Sequence, residues 1–348
     1  MSFLNKNTFL FKLLNWEYWP WEVIYIPIIL YYLWLSLKSR TLFFFFNVNP
    51  GIEGGGLLIE SKKKILDLLP DKLIPKSLYF EHPVSQDEVL EGMSLHSIHF
   101  PVIIKPDYGE RGWMVEKIED SYELDKYLKI NRLNIIVQEF ISYPIELGIF
   151  YVRHPDEDQG HITSIVKKKL LYVTGDGIAN VRDLIKRNPR ARIQLKRIEI
   201  RHPDLLNYIP DSGEKIELVP IANHARGAIF IDGNDLINPQ LSHVVDNIGK
   251  NIKGFYYGRF DIRCKNIEDL NKGINFRILE LNGAKSEPAH IYQPGYSLGK
   301  AYKVMLYHWK EMYYIARINL KNGIPFPSFS EGWAVWKKYR YYSRMRHQ

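Results

Sequence analysis

Two short stretches carry the residue types of phosphate chemistry: Gly258-Arg-Phe-Asp261 and Arg277-Ile-Leu-Glu-Leu-Asn282. Side chains alternate along a strand, so Arg259 shares a face with Asp261, and Glu280 shares one with Asn282, opposite Leu279 and Leu281. If the strands pair, two carboxylates, an amide and a guanidinium converge. Magnesium takes hard oxygen ligands, often one or two carboxylates plus substrate phosphates, and a guanidinium fork suits an anionic oxygen. An edge hairpin with a solvated polar face has the same pattern, so both readings stand on these residues alone.

A second set lies upstream. Phe100-Pro-Val-Ile-Ile-Lys105 is an apolar run ending in lysine, followed by Pro106-Asp-Tyr-Gly-Glu-Arg-Gly112 and Trp113-Met-Val-Glu-Lys-Ile118, which reads as strand, glycine-containing loop, strand. Gly109 and Gly112 would let backbone amides approach a polyphosphate, with the Lys105 ammonium above it. An ordinary hairpin turn uses the same glycines. No Gly-x-x-x-x-Gly-Lys-Ser/Thr occurs, so this is not a P-loop. The third set is Asn134-Ile-Ile-Val-Gln-Glu-Phe-Ile141, a strand running into Ser142-Tyr-Pro-Ile-Glu146-Leu-Gly148. An apolar slot with backbone hydrogen bonds holds an adenine, and a carboxylate such as Glu146 can accept both ribose hydroxyls. A core strand followed by a turn is the plain alternative.

Together these segments resemble the ATP-grasp superfamily, and within it carboxylate-amine ligases such as D-alanine:D-alanine ligase and cyanophycin synthetase. The resemblance covers about residues 57 to 300. It implies an α+β ATP-grasp fold, two lobes clamping ATP between them. It also implies magnesium, with two ions accommodated and manganese able to substitute. By the same comparison Lys105 is similar to the lysine on the ATP phosphates, and residues 107 to 113, with Glu110, Arg111 and Gly112, to the phosphate-covering loop. Glu139, Phe140 and Ile141 resemble the adenine hinge, and Glu146 the ribose carboxylate. Asp261, Glu280 and Asn282 match the magnesium ligands in type, order and spacing, and Arg259 matches the arginine that steadies the tetrahedral intermediate. Lys62 resembles the first ATP lysine ahead of an Ile-Pro turn, a role that Lys63 or Lys64 can also fill. Val173-Thr-Gly-Asp-Gly177 and Asn223-His-Ala-Arg-Gly227 resemble two further family loops. Asn180 and Asp183 independently have the character of a helix start.

The ends depart from that pattern. Ahead of the match stand Trp16-Glu-Tyr-Trp-Pro-Trp21, an apolar run from Val23 to Leu37, and Leu42-Phe-Phe-Phe-Phe46. These do not read as the α/β domain the ligases usually place there. Fifteen helical residues span about 22 Å at 1.5 Å each, short of the ~30 Å of a bilayer core, and Pro20 and Pro27 argue for a broken or shallow element. Two readings remain: association with a membrane interface, favoured by flanking aromatic and basic residues, or burial against the lobes. No small-residue cleavage site follows the run, which argues against a signal peptide. The other end carries Lys337, Lys338, Arg340, Arg344 and Arg346 in a chain of net charge +8, a pattern suited to anionic lipid or to a solvated tail. The charge is terminal and no recognition fold is legible, so no nucleic-acid partner is expected.

The 348 residues suffice for two cores, and the one cysteine, Cys264, excludes an internal disulfide. The division expected is an apolar N-terminal extension (1–56), a first lobe (57–145), a second lobe with the metal site (146–325) and a basic aromatic tail (326–348). Helices are expected from Pro239 to about Ile252 and from Ser297 to about Asn319. The function expected is an ATP-dependent ligase joining a small-molecule or lipid-linked carboxylate to an amine through an acyl phosphate. It would be cytoplasmic, peripheral on the inner face of a membrane. Alternatives are an ATP-grasp kinase acting on a hydroxyl, or a non-catalytic nucleotide-binding or scaffold protein. Lys285, Ser286, His290 and Tyr292 follow the metal strand where acceptor contacts are expected, and no residue is identified as a general base.

Overall fold

The computed structural model describes residues 3–58, 60–110, 112–219 and 224–345. The chain opens with α1 (Phe3–Leu14) and α2 (Trp21–Ser39). α2 is unbroken, so of the broken or shallow element expected from its prolines the break does not occur. Pro20 is the N-cap, outside the hydrogen-bonded turns, and the backbone bond lost at Pro27 is offset by burial of Ile24, Ile28 and Leu35. At 19 residues α2 spans about 28 Å, longer than the apolar run suggested, and it alone among the described helices is long and apolar enough to cross a membrane. Its opposite face exposes Val23, Ile26, Leu30, Leu33 and Leu37. The chain then turns through a short 3-10 segment, Phe44–Val48, that buries Phe44, Phe45 and Val48.

Ser61 caps the short α3 (Lys62–Leu66) by accepting from the Lys64 amide. Ile65 and Leu69 enter the core beneath the second sheet, so this part of the expected first lobe packs on the other one. The first sheet follows: β1 (Ser77–Phe80), α4 (Gln86–Leu95), β2 (Val102–Pro106), β3 (Glu116–Ile118), α5 (Ser121–Ile130) and β4 (Ile135–Glu139). Its strands run antiparallel in the order β1-β4-β2-β3. A Ser85–Glu88 capping box starts α4 and Asp120 caps α5, fixing where each helix enters. Val89, Met93, Leu124 and Tyr127 pack on Val102, Ile104, Ile118, Ile135 and Val137. Alternation leaves Ile103, Lys105 and Gln138 on the other face.

The second sheet is built from β5 (Ile145–Val152), β6 (His161–Lys169) and later strands. Between them a small unit intervenes: β7 (Tyr172–Thr174), α6 (Val181–Arg187), α7 (Pro189–Arg201) and β8 (Lys215–Glu217), with its own core around Leu184, Ile185 and Ile198. Asn180 caps α6 as its position suggested. The chain returns through β9 (Ile229–Asp232), α8 (Pro239–Asn251), β10 (Tyr257–Cys264), α9 (Ile267–Asn271) and β11 (Phe276–Asn282), giving the antiparallel order β11-β10-β5-β6-β9. Leu241 and Val245 of α8 cover one face, against Leu147, Ile149, Phe260 and Ile262. On the other face, α10 (Leu298–Lys321) buries Met312, Ile315 and Ala316 against Phe150, Val152 and Tyr257, with Leu35 and Phe43 to Phe45 alongside.

The C-terminal segment is a helix, α11 (Phe329–Met345). It returns to the body of the protein: Lys338 Nζ lies 2.6 Å from Glu53 Oε1 and 3.0 Å from the Tyr108 hydroxyl, and Tyr342 stacks on Tyr108 at 4.4 Å. Arg346 lies outside the described residues. Two α+β lobes face one cavity, with an apolar N-terminal helix against the second.

Candidate active site

The site begins with the alternation of β10. Tyr257, Arg259, Asp261 and Arg263 share the face turned from α8, while Phe260, Ile262 and Cys264 enter the core. Pairing with β11 sets Arg259 opposite Asn282 and Asp261 opposite Glu280, so the two strands do bring their polar residues together. The register shifts after Asp261, leaving Leu279 without a partner on β10, and its carbonyl accepts Lys105 Nζ at 3.2 Å. On the other side of β10, Asp261 faces Gly148 of β5. A Cβ at Gly148 would lie 2.8 Å from Val166 Cγ1, 3.0 Å from Arg259 Cδ and 3.1 Å from Asp261 Oδ1, so a side chain there would press on both partners of the ion pair.

Arg259 binds Asp261 in a fork, Nε to Oδ1 at 2.8 Å and Nη2 to Oδ2 at 3.0 Å, and Lys168 Nζ lies 3.3 Å from Oδ1. Burial alone would raise the Asp261 carboxyl, but Arg259 and Lys168 outweigh it and hold the group down to about 2. Glu280 behaves likewise: Lys62 and Lys105 overcome burial and keep its carboxyl below the ordinary range. Both are therefore carboxylates at neutral pH. Lys105 donates to Gln138 Oε1 at 3.1 Å, and burial lowers its ammonium to about 8 despite Glu280.

Lys62 alone of the three candidate lysines lines the cavity. Its Nζ donates to the Gly109 carbonyl at 2.6 Å, whereas Lys63 pairs with Asp67 and Lys64 points toward Glu53. Glu110 and Gly112 also line the cavity, and Gly112 adopts a φ of 71°, which glycine takes without strain. Arg226 ties this loop down by donating to the Gly112 and Val115 carbonyls. Arg111 and Asn223 lie outside the described residues. Glu139, Phe140, Ile141 and Glu146 form the wall toward the linker between the lobes. Glu146 is not a bare carboxylate: Arg263 Nε reaches it at 3.0 Å and Lys168 Nζ at 3.3 Å. A carboxylate has about four acceptor sites, so hydroxyls can still be received.

Beyond Asn282, Lys285 bridges Glu60 at 3.0 Å and Glu110 at 3.8 Å. Burial opposes its charge, but Glu60, Glu110 and Glu280 outweigh that and raise its ammonium above the ordinary value. Glu287 is pushed up by burial and accepts from the Tyr292 hydroxyl at 2.6 Å, while its carbonyl accepts from Arg259. Ser286 and Tyr292 line the cavity. His290 does not: it is buried, with Ser164 Oγ at 2.6 Å from its Nδ1.

Sequence reasoning missed several lining residues. Arg263 continues the Arg259, Asp261 alternation and was legible by the same rule. Lys168 is the middle of three lysines in β6, and nothing local distinguishes it. Glu17 enters the cavity wall from the N-terminal segment, held by Arg190 at 2.5 Å and by His224 at 3.1 Å across 173 and 207 residues.

Lys62, Lys105, Lys168, Arg259, Asp261, Glu280, Asn282 and Lys285 border one cavity of about 820 Å³, within the range of small-molecule and cofactor sites. Among the described residues no three His, Cys, Asp or Glu side chains gather as a metal site. Two ionised carboxylates and an amide nonetheless fit magnesium when substrate phosphates complete its oxygen shell.

No family model and no curated protein matches the chain. Among solved structures it is similar to a bifunctional glutathione synthetase from Pasteurella multocida, with 17% identity over 70% of this chain and 35% of that one, TM-score 0.37. It is also similar to the VanG D-Ala:D-Ser ligase from Enterococcus faecalis, with 15% identity, 75% and 63% covered, TM-score 0.42. A D-alanine–D-alanine ligase from Bacillus anthracis gives 14% identity, 78% and 69% covered, TM-score 0.41. The chain thus spans about a third of the first of these proteins and somewhat under two thirds of the second.

Proposed function

We propose that this chain is an ATP-dependent carboxylate-amine ligase. The observation that carries the reading is the opposition of Asp261 to Glu280 and of Arg259 to Asn282 on paired strands, in one cavity with Lys62 and Lys105. A substrate carboxylate oxygen attacks the γ-phosphorus, and the new O–P bond forms as the bond to ADP breaks. An amine nitrogen then adds to the acyl carbon of this acyl phosphate. The tetrahedral adduct expels phosphate, and the ammonium proton passes to water or phosphate. Lys62 and Lys105 hold phosphate oxygens. Arg259 meets the oxyanion of the adduct, the kind of electrostatic interaction that usually contributes most to such a step. Magnesium at Asp261, Glu280 and Asn282, with manganese able to substitute, would neutralise charge between the β- and γ-phosphates.

Hydroxylamine in place of the amine tests this. With ATP, magnesium and a competent acid it captures the acyl phosphate as a hydroxamate, whereas a hydroxyl kinase makes a stable phosphoester. A phosphoester without hydroxamate would end the ligase reading.

For location, the reading that fits best is a peripheral position on the cytoplasmic face of an anionic membrane. The outward side of α2 is apolar and ends in exposed Trp34, Lys38 and Arg40, with Lys38 4.3 Å from the Trp34 ring centroid. Aromatic and basic residues at the end of an apolar face suit a headgroup layer. The exposed Lys337, Arg340 and Arg344 of α11 add attraction for anionic lipid. Vesicle cosedimentation tests it, as developed below.

A further inference from the structure

The cavity continues past Arg259. Cavity-facing residues on β10 follow one another at about 7 Å, so Arg263, Asp261, Arg259 and Tyr257 form a ruler of about 20 Å. Arg263 stands at the Glu146 end and Tyr257 at the other. Over the last interval the lining changes character. Tyr257, Met305, Met312 and Trp309 meet Ile24 of α2 and Leu58, and ionic groups give way to hydrocarbon and aromatic rings. The histidine in this wall, His308, leaves the lining uncharged: burial lowers its imidazole to about 3, and its Nδ1 lies 3.1 Å from the Tyr257 hydroxyl. A polar substrate gains nothing from such a surface, whereas an apolar one gains about three- to fourfold in affinity for each methylene removed from water.

We propose, resting on the ligase reading above, that this end of the cavity receives the apolar body of the carboxylic acid substrate, an aliphatic or aryl chain whose carboxylate reaches Arg259. The acid is favoured over the amine because cations, Arg259 and Lys285, stand where the lining changes. Asp261 and Glu60 pair with these cations from the ionic side, and Glu287, whose backbone carbonyl accepts from Arg259, is pushed up by burial and serves Tyr292 as acceptor. A head group there needs a positive partner, and it lies one side-chain interval from Asp261, within reach of the transferred phosphorus. The apolar wall is supplied by α2, the segment around Leu58 and α10, none of which takes part in the nucleotide end.

The test titrates the full chain, with magnesium and a non-hydrolysable ATP analogue, against butyrate, hexanoate and decanoate below their aggregation concentrations. A parallel assay measures hydroxamate formed from each acid with ATP and hydroxylamine. Decanoate should bind at least tenfold more tightly than butyrate. Leu58→Trp, at a half-buried wall position, should abolish that advantage while leaving butyrate and ATP-analogue binding unchanged. Tyr25→Ala, on the same wall, should weaken decanoate severalfold and serves should the tryptophan variant fail to fold. Equal affinity for the three acids overturns the pocket. So does a decanoate affinity untouched by both substitutions, which places the chain on the outer face of α2. Chain-length-dependent binding without hydroxamate upholds the pocket and ends the ligase reading. Hydroxamate from short polar acids alone does the reverse.

Discussion

The guanidinium of Arg259 and the carboxylate of Asp261, two residues apart on one strand face, are joined by a two-point ion pair. On the proposed reading, a divalent cation at Asp261 would share oxygens already engaged by this fork, and Arg259 would swing from the carboxylate to a developing oxyanion. Arg259→Lys keeps the charge and loses the second donor. Its hydroxamate turnover is expected to fall about 100-fold, by analogy with loss of one oxyanion donor, with KM for ATP nearly unchanged. Steady-state kinetics of both parameters check this.

Glu280→Gln preserves shape and removes one of two opposed charges. Turnover should become undetectable at ordinary magnesium and recover in part at high concentration, with an unchanged thermal midpoint. Wild-type turnover at low magnesium would mean that the metal lies elsewhere.

Lys105 is a pH reporter. Burial brings its ammonium down to about 8, so the charge proposed to hold phosphate is present below that pH and lost above it. In the free protein kcat/KM for ATP should decline as pH rises through about 8. Lys105→Arg, which stays charged, should flatten that limb even though its absolute activity is lower. A declining limb that survives in the arginine variant would assign it to another group.

His308 links stability to pH in the acid direction. Its folded value lies at about 3, below the ~6.5 of an unfolded histidine. The unfolded chain therefore binds the extra proton between those limits, and stability contributed by neutral burial is lost as pH falls from about 6.5 toward 3. His308→Gln removes this dependence. The gap in urea midpoint between wild type and variant should move against the wild type between pH 7 and pH 4.5.

The basic residues of α11 divide into two roles. Lys338 is engaged by Glu53 and Tyr108, whereas Lys337, Arg340 and Arg344 are exposed. Replacing the exposed three by glutamine should weaken cosedimentation with anionic vesicles severalfold and reduce its salt sensitivity, because the screened component has been removed. Lys338→Gln should leave vesicle binding unchanged and instead raise protease cleavage in the loop around Gly109. Equal partitioning of the triple variant and wild type would remove lipid from the account.

How much of this was legible in the sequence follows from the range of each interaction. The pairing of Arg259 and Asp261 with Glu280 and Asn282 is written in a period of two, and the caps at Asn180 and at Asn238, whose side chain accepts from the Leu241 amide ahead of α8, are local chemistry, so both could be read. That Ile65 and Leu69 pack in the core of the second sheet was not legible, because a five-residue helix has too few turns for periodicity to show which core it faces. Lys168 and Glu17 depend on registers and contacts that no window contains. The apolar N-terminal run presented two fates as alternatives, burial or exposure. α2 has both, one on each side, and only the position of α10 determines which residues fall where.

The two ends of the cavity have separate origins in the chain. The ionic floor is carried by Lys62 and by the strands and glycine loop between residues 102 and 287, while the apolar wall comes chiefly from the first 58 residues and from α10. On the proposed reading, selection or a protein engineer can thus exchange the terminal segments to alter which molecule is activated, while the nucleotide-handling apparatus is inherited intact.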